Sequence, residues 1–267
     1  MNSPDSESAE GWRATLEAGG VGDDFARIEV LAETDSTMDA ARGLPPGSLM
    51  IALRQRRGRG RLGRVWVDGG IAFTVVIAAP EPCDGERLAI AAALGAAGAL
   101  EATLAGGGLA DRVGVKWPND LMLRDRKLGG ILVERVDGVA LVGVGVDYRV
   151  PASGVDADRA IDLASTLAEG TLPPRGELVG RLARQVATAC RLRLDEVEQR
   201  FAARDWLRGR RARFLAGGVR LEGKVRSIDP FTAIELEIEA SGDSPTIERI
   251  DPRTATVEWF ESGPSRG

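Results

Sequence analysis

The segment GILVERVDGVALVGVGVDYRV, residues 130–150, carries the pattern that decides the fold. Two runs rich in Val, Ile and Leu lie on either side of the pair Asp137–Gly138. Asp-Gly between two apolar runs is typical of a tight hairpin turn, because both positions tolerate a positive φ. The segment is therefore predicted to form two strands of a central sheet.

Further strands and helices are predicted on both sides of this hairpin. The other strand candidates are residues 26–33, 48–55, 72–79 and 113–117. The Ala-rich stretch 87–104 predicts a helix that is buried on most sides, and apolar residues recur at helical spacing from about 175 to 206. Strands alternating with helices in this way predict a mixed sheet covered by helices.

The two ends of the chain differ from this central part. Residues 1–24 are rich in Ser, Glu, Gly and Asp, which predicts a flexible N-terminal tail with room for one short helix. After residue 207 the sequence changes to short strand-like runs separated by Gly, Asp and Pro, as in a small β-barrel. The predicted fold class is α+β, with a mixed central sheet and helices over residues 25–207 and a small SH3-like β-barrel over residues 208–262.

Composition excludes several classes of function. The chain has 267 residues and no histidine, so imidazole-based triads and zinc sites are absent. Its net charge of -5 argues against general attraction to nucleic acid or to an anionic membrane. The longest apolar stretch, residues 88–100, is too short to span a bilayer. Two widely separated cysteines, Cys83 and Cys190, fit a reduced cytoplasmic protein.

An arginine-rich and glycine-rich stretch follows the second strand candidate. RQRRGRGRLGRVW, residues 54–66, contains six arginines and three glycines. Glycine lets backbone N–H groups approach an anion closely, and arginine donates to phosphate through two parallel hydrogen bonds. The six like charges are expected to repel one another until an anion arrives. The alternative is a solvated basic loop. Residues 58–63 match the dinucleotide-binding fingerprint G-x-G-x-x-G. That fingerprint should open a helix, whereas a strand-like segment follows here.

A second stretch, VKWPNDLMLRDRKLGGILVE at residues 115–134, places polar groups at the end of a predicted strand. Pro118 predicts a turn that presents Asn119 and Asp120. Asp120 is a candidate for holding Mg²⁺ on ATP, the alternative being an Asx turn without a ligand. Lys127 is suited to stabilising charge on a phosphoryl group, the alternative being a surface lysine.

These stretches resemble the biotin protein ligases. GRGRLGRVW, KWPND, RKLGGILVE and GVGVD occur in that family's order and at roughly its spacing, and the tripeptide at residues 35–37 fits its first biotin-contacting segment. The resemblance covers about residues 25–150. It implies the fold of the biotin and lipoate ligases and an enzyme that forms biotinyl-5′-AMP from biotin and ATP with Mg²⁺. It also implies that biotin is passed to a lysine on the carrier domain of a carboxylase.

The resemblance also assigns roles to individual positions. Those implied for biotin binding are Ser36, Thr37, Gln55, Gly58, Arg59, Lys127, Gly129 and Gly130. Those implied for ATP are Arg61, Trp66, Asn119, Asp120 and Asp147. Catalytic roles fall to Lys127, Arg59 and Arg61, and the implied Mg²⁺ ligands are Asp120 and Asp147. Two positions depart from the family: Met38 and Asp147 both replace asparagine.

Other readings stay open at this point. A lipoate or octanoate ligase of the same fold is one, although the Arg-Arg-x-Ser-Gly-Gly-Gly segment of those enzymes is missing. A non-catalytic biotin-binding relative is another. Fewer than thirty residues precede the first strand candidate, so no DNA-binding domain and no DNA partner are expected. Neither is a membrane partner. Members of the family can dimerise through the central sheet, which makes a homodimer one expectation.

Overall fold

The central part of the protein is a seven-stranded mixed sheet. A computed structural model describes residues 8–61, 65–66, 70–79, 85–149, 159–239 and 245–261. Its first nine strands are β1 (Arg27–Thr34), β2 (Ser48–Gln55), β3 (Gly58–Arg59), β4 (Val65–Trp66), β5 (Ile71–Ala78), β6 (Gly114–Lys116), β7 (Asp120–Leu123), β8 (Arg126–Val136) and β9 (Val139–Val146). The sheet order is β1-β2-β5-β9-β8-β7-β6, and β3 pairs only with β4. Only β1 and β2 run parallel; the other neighbours are antiparallel.

The predicted hairpin at residues 130–150 is confirmed as the β8–β9 pair. Asp137 and Gly138 form the turn with φ values of 48° and 79°, and Val136 pairs with Val139 across it. β9 also pairs with β5, so it lies inside the sheet and hydrogen-bonds on both edges. An apolar strand in this position contributes side chains to both faces, which explains its nearly continuous Val, Leu and Gly composition.

Helices cover this sheet. They are α1 (Ala9–Ala18), α2 (Thr37–Ala40), α3 (Gly85–Gly106), α4 (Leu163–Thr166), α5 (Arg175–Ala189) and α6 (Leu194–Ala202). The helical spacing from 175 to 206 is therefore divided between α5 and α6. Within the described residues, α3 alone is long and apolar enough to cross a membrane, and 72% of its apolar window is buried inside the protein. It packs so closely on α5 that a Cβ added at Gly95 would lie 2.5 Å from the Gln185 carbonyl oxygen.

Part of the predicted N-terminal tail, residues 9–18, is helical. These residues form α1, whose first turn is capped by the Ser8 hydroxyl accepting from the Gly11 N–H at 3.0 Å. Trp12 and Leu16 are four residues apart and so share one helix face. Both are buried, with Trp12 only 4% exposed. These two large apolar side chains dock the helix on the core of the protein.

The last five strands form a second, antiparallel sheet. They are β10 (Arg211–Ala216), β11 (Val219–Asp229), β12 (Ala233–Ile238), β13 (Thr246–Ile250) and β14 (Ala255–Phe260), in the order β13-β12-β11-β10-β14. This sheet is consistent with the predicted SH3-like module. Phe260 meets Trp206 edge-on at 5.2 Å between ring centroids, which brings β14 against the central part of the protein. The boundary at residues 207–208 stays a prediction.

Candidate functional site

An open cleft lies on one face of the central sheet, with β14 at its border. It contains about 1020 Å³ of non-protein space, part of it open to solvent. The sequence-predicted residues that line it are Ser36, Thr37, Gln55, Arg59, Arg61, Trp66, Asn119, Asp120, Lys127 and Gly130. Those that do not are Gly58, Gly129 and Asp147. Residues from widely separated parts of the chain are thus brought to one site.

The floor of the cleft is made of glycines that the sequence analysis did not assign to the site. Gly143 and Gly145 alternate along β9 and both line the cleft. A Cβ added at Gly145 would lie 2.7 Å from the Trp66 indole ring, and one at Gly143 would lie 2.8 Å from the Met38 sulfur. Glycine inside a strand often marks such a close approach. That signal, the Gly-x-Gly in β9, could have pointed to these residues.

One end of the cleft is a polar pocket built around Thr37. The Gln55 Oε1 accepts from the Thr37 backbone N–H at 2.8 Å and from its hydroxyl at 3.2 Å. Thr74 in β5 in turn donates to the Thr37 hydroxyl at 3.0 Å, a contact that the sequence did not predict. Ser36 caps α2 by accepting from the Met38 N–H at 3.3 Å. These side chains are held in one arrangement and are suited to hydrogen-bonding a small polar group.

Met38, the first departure from the family pattern, is an apolar wall of this pocket. Its side chain is buried and packs with Met50, Leu141 and other apolar residues on the same face of the sheet. Because its sulfur lies over Gly143, the methionine and the glycine fit each other sterically. The departure is therefore accommodated by local packing.

The arginine-rich stretch is held by acidic residues that lie far away in sequence. Arg59 pairs with Asp39 at 3.0 Å and with Glu134 at 3.3 Å. Arg61 donates to the Asn119 side-chain oxygen at 3.3 Å. Carboxylates from other segments therefore offset the charge of Arg59 and reduce the expected repulsion at that position, whereas the partner of Arg61 is neutral. Residues 62–64 of the stretch lie outside the described part of the chain.

Gly58 does not line the cleft. A Cβ at this position would be 2.9 Å from the Trp66 Cβ and carbonyl oxygen. Its role in the structure is to let β3 pass close to β4. Gly129 has a similar explanation, because a Cβ there would lie 2.5 Å from the Gly145 carbonyl oxygen. Both glycines are thus required by close strand packing, and the biotin contacts expected of them stay predictions.

The cationic end of the cleft centres on Asp120. Its two carboxylate oxygens each lie 2.6 Å from an ammonium group, one from Lys116 and one from Lys127. The carboxylate is nearly buried, at 9% exposure. Burial raises the pKa of Asp120, but the two lysines lower it more and keep it below its ordinary value. Asp120 is therefore ionised at neutral pH and engaged by two cations.

The structure does not support the predicted Mg²⁺ site on Asp120 and Asp147. Both Asp120 oxygens already accept from lysines, and Asp147 does not line the cleft. Within the described residues, no group of three or more His, Cys, Asp or Glu side chains could hold a metal ion. A Mg²⁺ ion on ATP would take most of its oxygen ligands from phosphates and water, so it does not require these two carboxylates.

Asp147 instead lies at the end of β9 beside α4. Its backbone N–H donates to the Leu128 carbonyl at 2.8 Å, and its carbonyl accepts from Leu163. Burial raises the pKa of the Asp147 carboxyl to about 7; Lys127 lowers it and Asp162 raises it further. The ATP-binding role expected of Asp147 is therefore not supported by its position.

The raised pKa of Asp147 makes stability depend on pH. Between about pH 4 and pH 7 the folded protein binds more protons at this site than the unfolded chain does, so this contribution to stability falls as pH rises. The amide of the variant Asp147→Asn cannot ionise and escapes this loss. We expect the stability of the variant relative to wild type to increase by about 1–2 kcal/mol between pH 5 and pH 7.

Urea unfolding of both proteins across this pH range measures the difference. Asp205, whose pKa burial raises to about 6, is the same in both proteins, so its titration cancels in the comparison. A constant stability difference from pH 5 to pH 7 would contradict an elevated pKa for Asp147.

The mixed sheet and the cleft together define a class of protein. It is the class of ligases to which the biotin and lipoate ligases belong. The model of the biotin/lipoate A/B protein ligase family matches residues 28–147. A biotin–[acetyl-CoA-carboxylase] ligase of Mycobacterium tuberculosis is 30% identical over 235 residues, 82% of this chain and 86% of the relative. The chain belongs to the biotin protein ligase family and is therefore an enzyme of the ligase class.

Two further likenesses agree with this. A biotin–[acetyl-CoA-carboxylase] ligase of Paracoccus denitrificans is 38% identical over 155 residues, 54% of this chain and 60% of the relative. The solved structure of an Aquifex aeolicus biotin protein ligase in complex with biotin and ATP matches with a TM-score of 0.74 at 23% identity. That match covers 88% of this chain and 99% of the other, and it shows that the two share a fold.

Proposed function

We propose that this protein activates biotin with ATP and transfers it to a lysine on the biotin carrier domain of a carboxylase. The observation that carries the proposal is the polarity of the cleft. A hydrogen-bonding pocket around Thr37 lies at one end, a glycine floor in the middle, and Lys116 and Lys127 at the other end. Such a cleft fits a molecule with a polar ring at one end and a carboxylate at the other.

Each part of the cleft then has a role in binding. Ser36, Thr37 and Gln55 hydrogen-bond the ureido group of biotin. The cleft-lining glycines Gly130 and Gly145, which have no side chain, accommodate its apolar body. Trp66 stands over Gly145 and forms a wall towards the nucleotide. Arg61 and Asn119, which already contact each other, are positioned to meet the phosphates.

The first chemical step joins two anions. A biotin carboxylate oxygen attacks the α-phosphorus of ATP, the bond to the bridging oxygen breaks, and pyrophosphate leaves. Lys127 and Arg61 offset the repulsion between the carboxylate and the phosphates and stabilise the charge of the transition state. Mg²⁺ enters as the counter-ion of ATP, bound by phosphate oxygens and water.

The second step requires only that the mixed anhydride, biotinyl-5′-AMP, is held in position for attack. The ε-amine of the carrier lysine attacks the carbonyl carbon of the mixed anhydride, AMP leaves, and an amide bond forms. Arg59, held between Asp39 and Glu134, fixes the middle of the arginine-rich stretch beside the cleft. Shielding by this stretch slows hydrolysis of the anhydride. The homodimer, the lack of a DNA partner and the cytoplasmic location stay predictions.

A reconstituted assay tests the proposal. The protein is incubated with biotin, ATP with Mg²⁺ and a biotin carrier domain, and both pyrophosphate release and covalent biotinylation are measured. Both signals are expected only when biotin and ATP are present together. Octanoate and lipoate replace biotin in parallel reactions. Turnover with those acids and not with biotin would favour a lipoate or octanoate ligase, and binding of biotin without turnover would favour a non-catalytic relative.

A further inference from the structure

Lys116 is a charged residue of the cleft that the sequence analysis did not assign to the site, and the proposed function uses it only as part of the cationic end of the cleft, with no role in either chemical step. It lies at the end of β6, lines the cleft, and keeps only 14% of its side chain exposed. Its ammonium group meets Asp120 at 2.6 Å on the side opposite to Lys127. Burying an ammonium group is costly unless it is paired, and Asp120 supplies the pairing here.

The charges of these three side chains explain what Lys116 does. Two lysines and one aspartate carry a net charge of +1. If Asp120 faced Lys127 alone, the pair would be neutral, and its attraction for an incoming phosphate would be weaker by one unit charge. With Lys116 present, the carboxylate is shared between two cations, and one positive charge remains for an anion.

Phe260 connects this cluster to the C-terminal sheet. The Lys116 ammonium lies 4.7 Å from the centroid of the Phe260 ring, within range of a cation–π interaction. Phe260 is held in turn by Trp206, edge-on at 5.2 Å. The same strand, β14, contributes Thr256 and Val257 to the border of the cleft. The C-terminal sheet therefore supplies Lys116 with a second contact besides Asp120.

We propose that Lys116 is a positioning residue for the ligation reaction, and that it acts through Asp120. By sharing the Asp120 carboxylate it keeps the Lys127 ammonium available to the α-phosphate, and Phe260 holds it in place to do so. The inference rests on the proposed function for the identity of the nucleotide. It assigns to Asp120 the holding of two lysines in place of a metal ion.

A charge-rescue series tests this role. Binding of a non-hydrolysable ATP analogue is measured by calorimetry, and biotin-dependent pyrophosphate release is measured separately. Lys116→Gln should weaken nucleotide binding about tenfold or more, the effect of losing one nearby charge. Lys116→Gln/Asp120→Asn restores the net charge of +1 and should recover most of the binding, and Lys116→Arg should retain it. A purely structural role predicts the opposite order, with the double variant worse than the single one.

Phe260 is tested on the same strand. Phe260→Leu removes the ring under the ammonium and should raise the KM for ATP roughly threefold. The matched control is Trp259→Leu, which removes the neighbouring and exposed ring and should leave KM unchanged. Thermal melting of every variant checks that the fold is intact.

The outcomes separate this inference from the proposed function. Unaltered nucleotide binding by Lys116→Gln, or a double variant that binds no better than the single one, overturns the role of Lys116 while biotinylation by wild type stands. If nucleotide binding by the variants follows their charge but the wild-type protein does not biotinylate a carrier, the role of Lys116 stands and the proposed function is overturned.

Discussion

Lys127→Ala is expected to slow biotin-dependent pyrophosphate release by about a hundredfold or more, the scale of losing one charge-stabilising donor in a transition state. The Lys127 ammonium lines the cleft and is held 2.6 Å from an Asp120 oxygen, so it is fixed before substrate arrives. Its removal leaves Asp120 paired with Lys116 alone. The cluster then carries no net positive charge, and nothing replaces the donor aimed at the α-phosphate.

Single-turnover measurement of pyrophosphate release, with biotin binding followed by calorimetry, checks this prediction. The rate is expected to fall far more than the affinity for biotin. Arg126→Ala is the matched control, because Arg126 is the adjacent cation on β8, is exposed and does not line the cleft. A Lys127→Ala protein that releases pyrophosphate at nearly the wild-type rate would remove Lys127 from the mechanism.

The second large effect is expected for Gly145→Ala, which should lower kcat/KM by about a hundredfold, as displacements near 1 Å at a reacting centre do. The new Cβ would lie 2.7 Å from the Trp66 ring, a distance that real Cβ atoms do not adopt. The indole therefore has to move out over the floor of the cleft. The backbone of β9 cannot yield instead, because it is hydrogen-bonded to β5 and β8 on both edges.

Gly98→Ala is the control for this substitution. Its added Cβ meets no atom within 4 Å, and alanine is favoured over glycine inside a helix such as α3. Activity close to wild type is expected there. Combining Gly145→Ala with Trp66→Phe should recover part of the lost activity, because the smaller ring makes room for the methyl group. Full activity of Gly145→Ala alone would show that Trp66 is not a fixed wall of the site.

Much of the candidate site could be predicted from the sequence, because its motifs follow strands whose ends meet in one sheet. Ser36, Gln55 and Lys127 all line the cleft as the resemblance implied. The roles predicted for Asp147 stay predictions, although this residue does not line the cleft, and the two lysine partners of Asp120 were not predicted. A motif identifies a polar side chain near a site, but it does not say whether that side chain is already satisfied by another residue.

The sequence by itself determined the local structure of this protein. The Asp137–Gly138 turn, the Ala-rich helix α3 and the strands β2 and β5 follow from residues adjacent in the chain, whose backbone preferences and apolar spacing act over a few positions. Only the tertiary structure decided which distant groups meet. Sheet order brings Glu134 to Arg59, and docking of the C-terminal sheet brings Phe260 to Lys116. Such pairs depend on how whole strands are placed, since a charge is stabilised by whichever opposite charge or ring the fold carries to within a few ångströms of it.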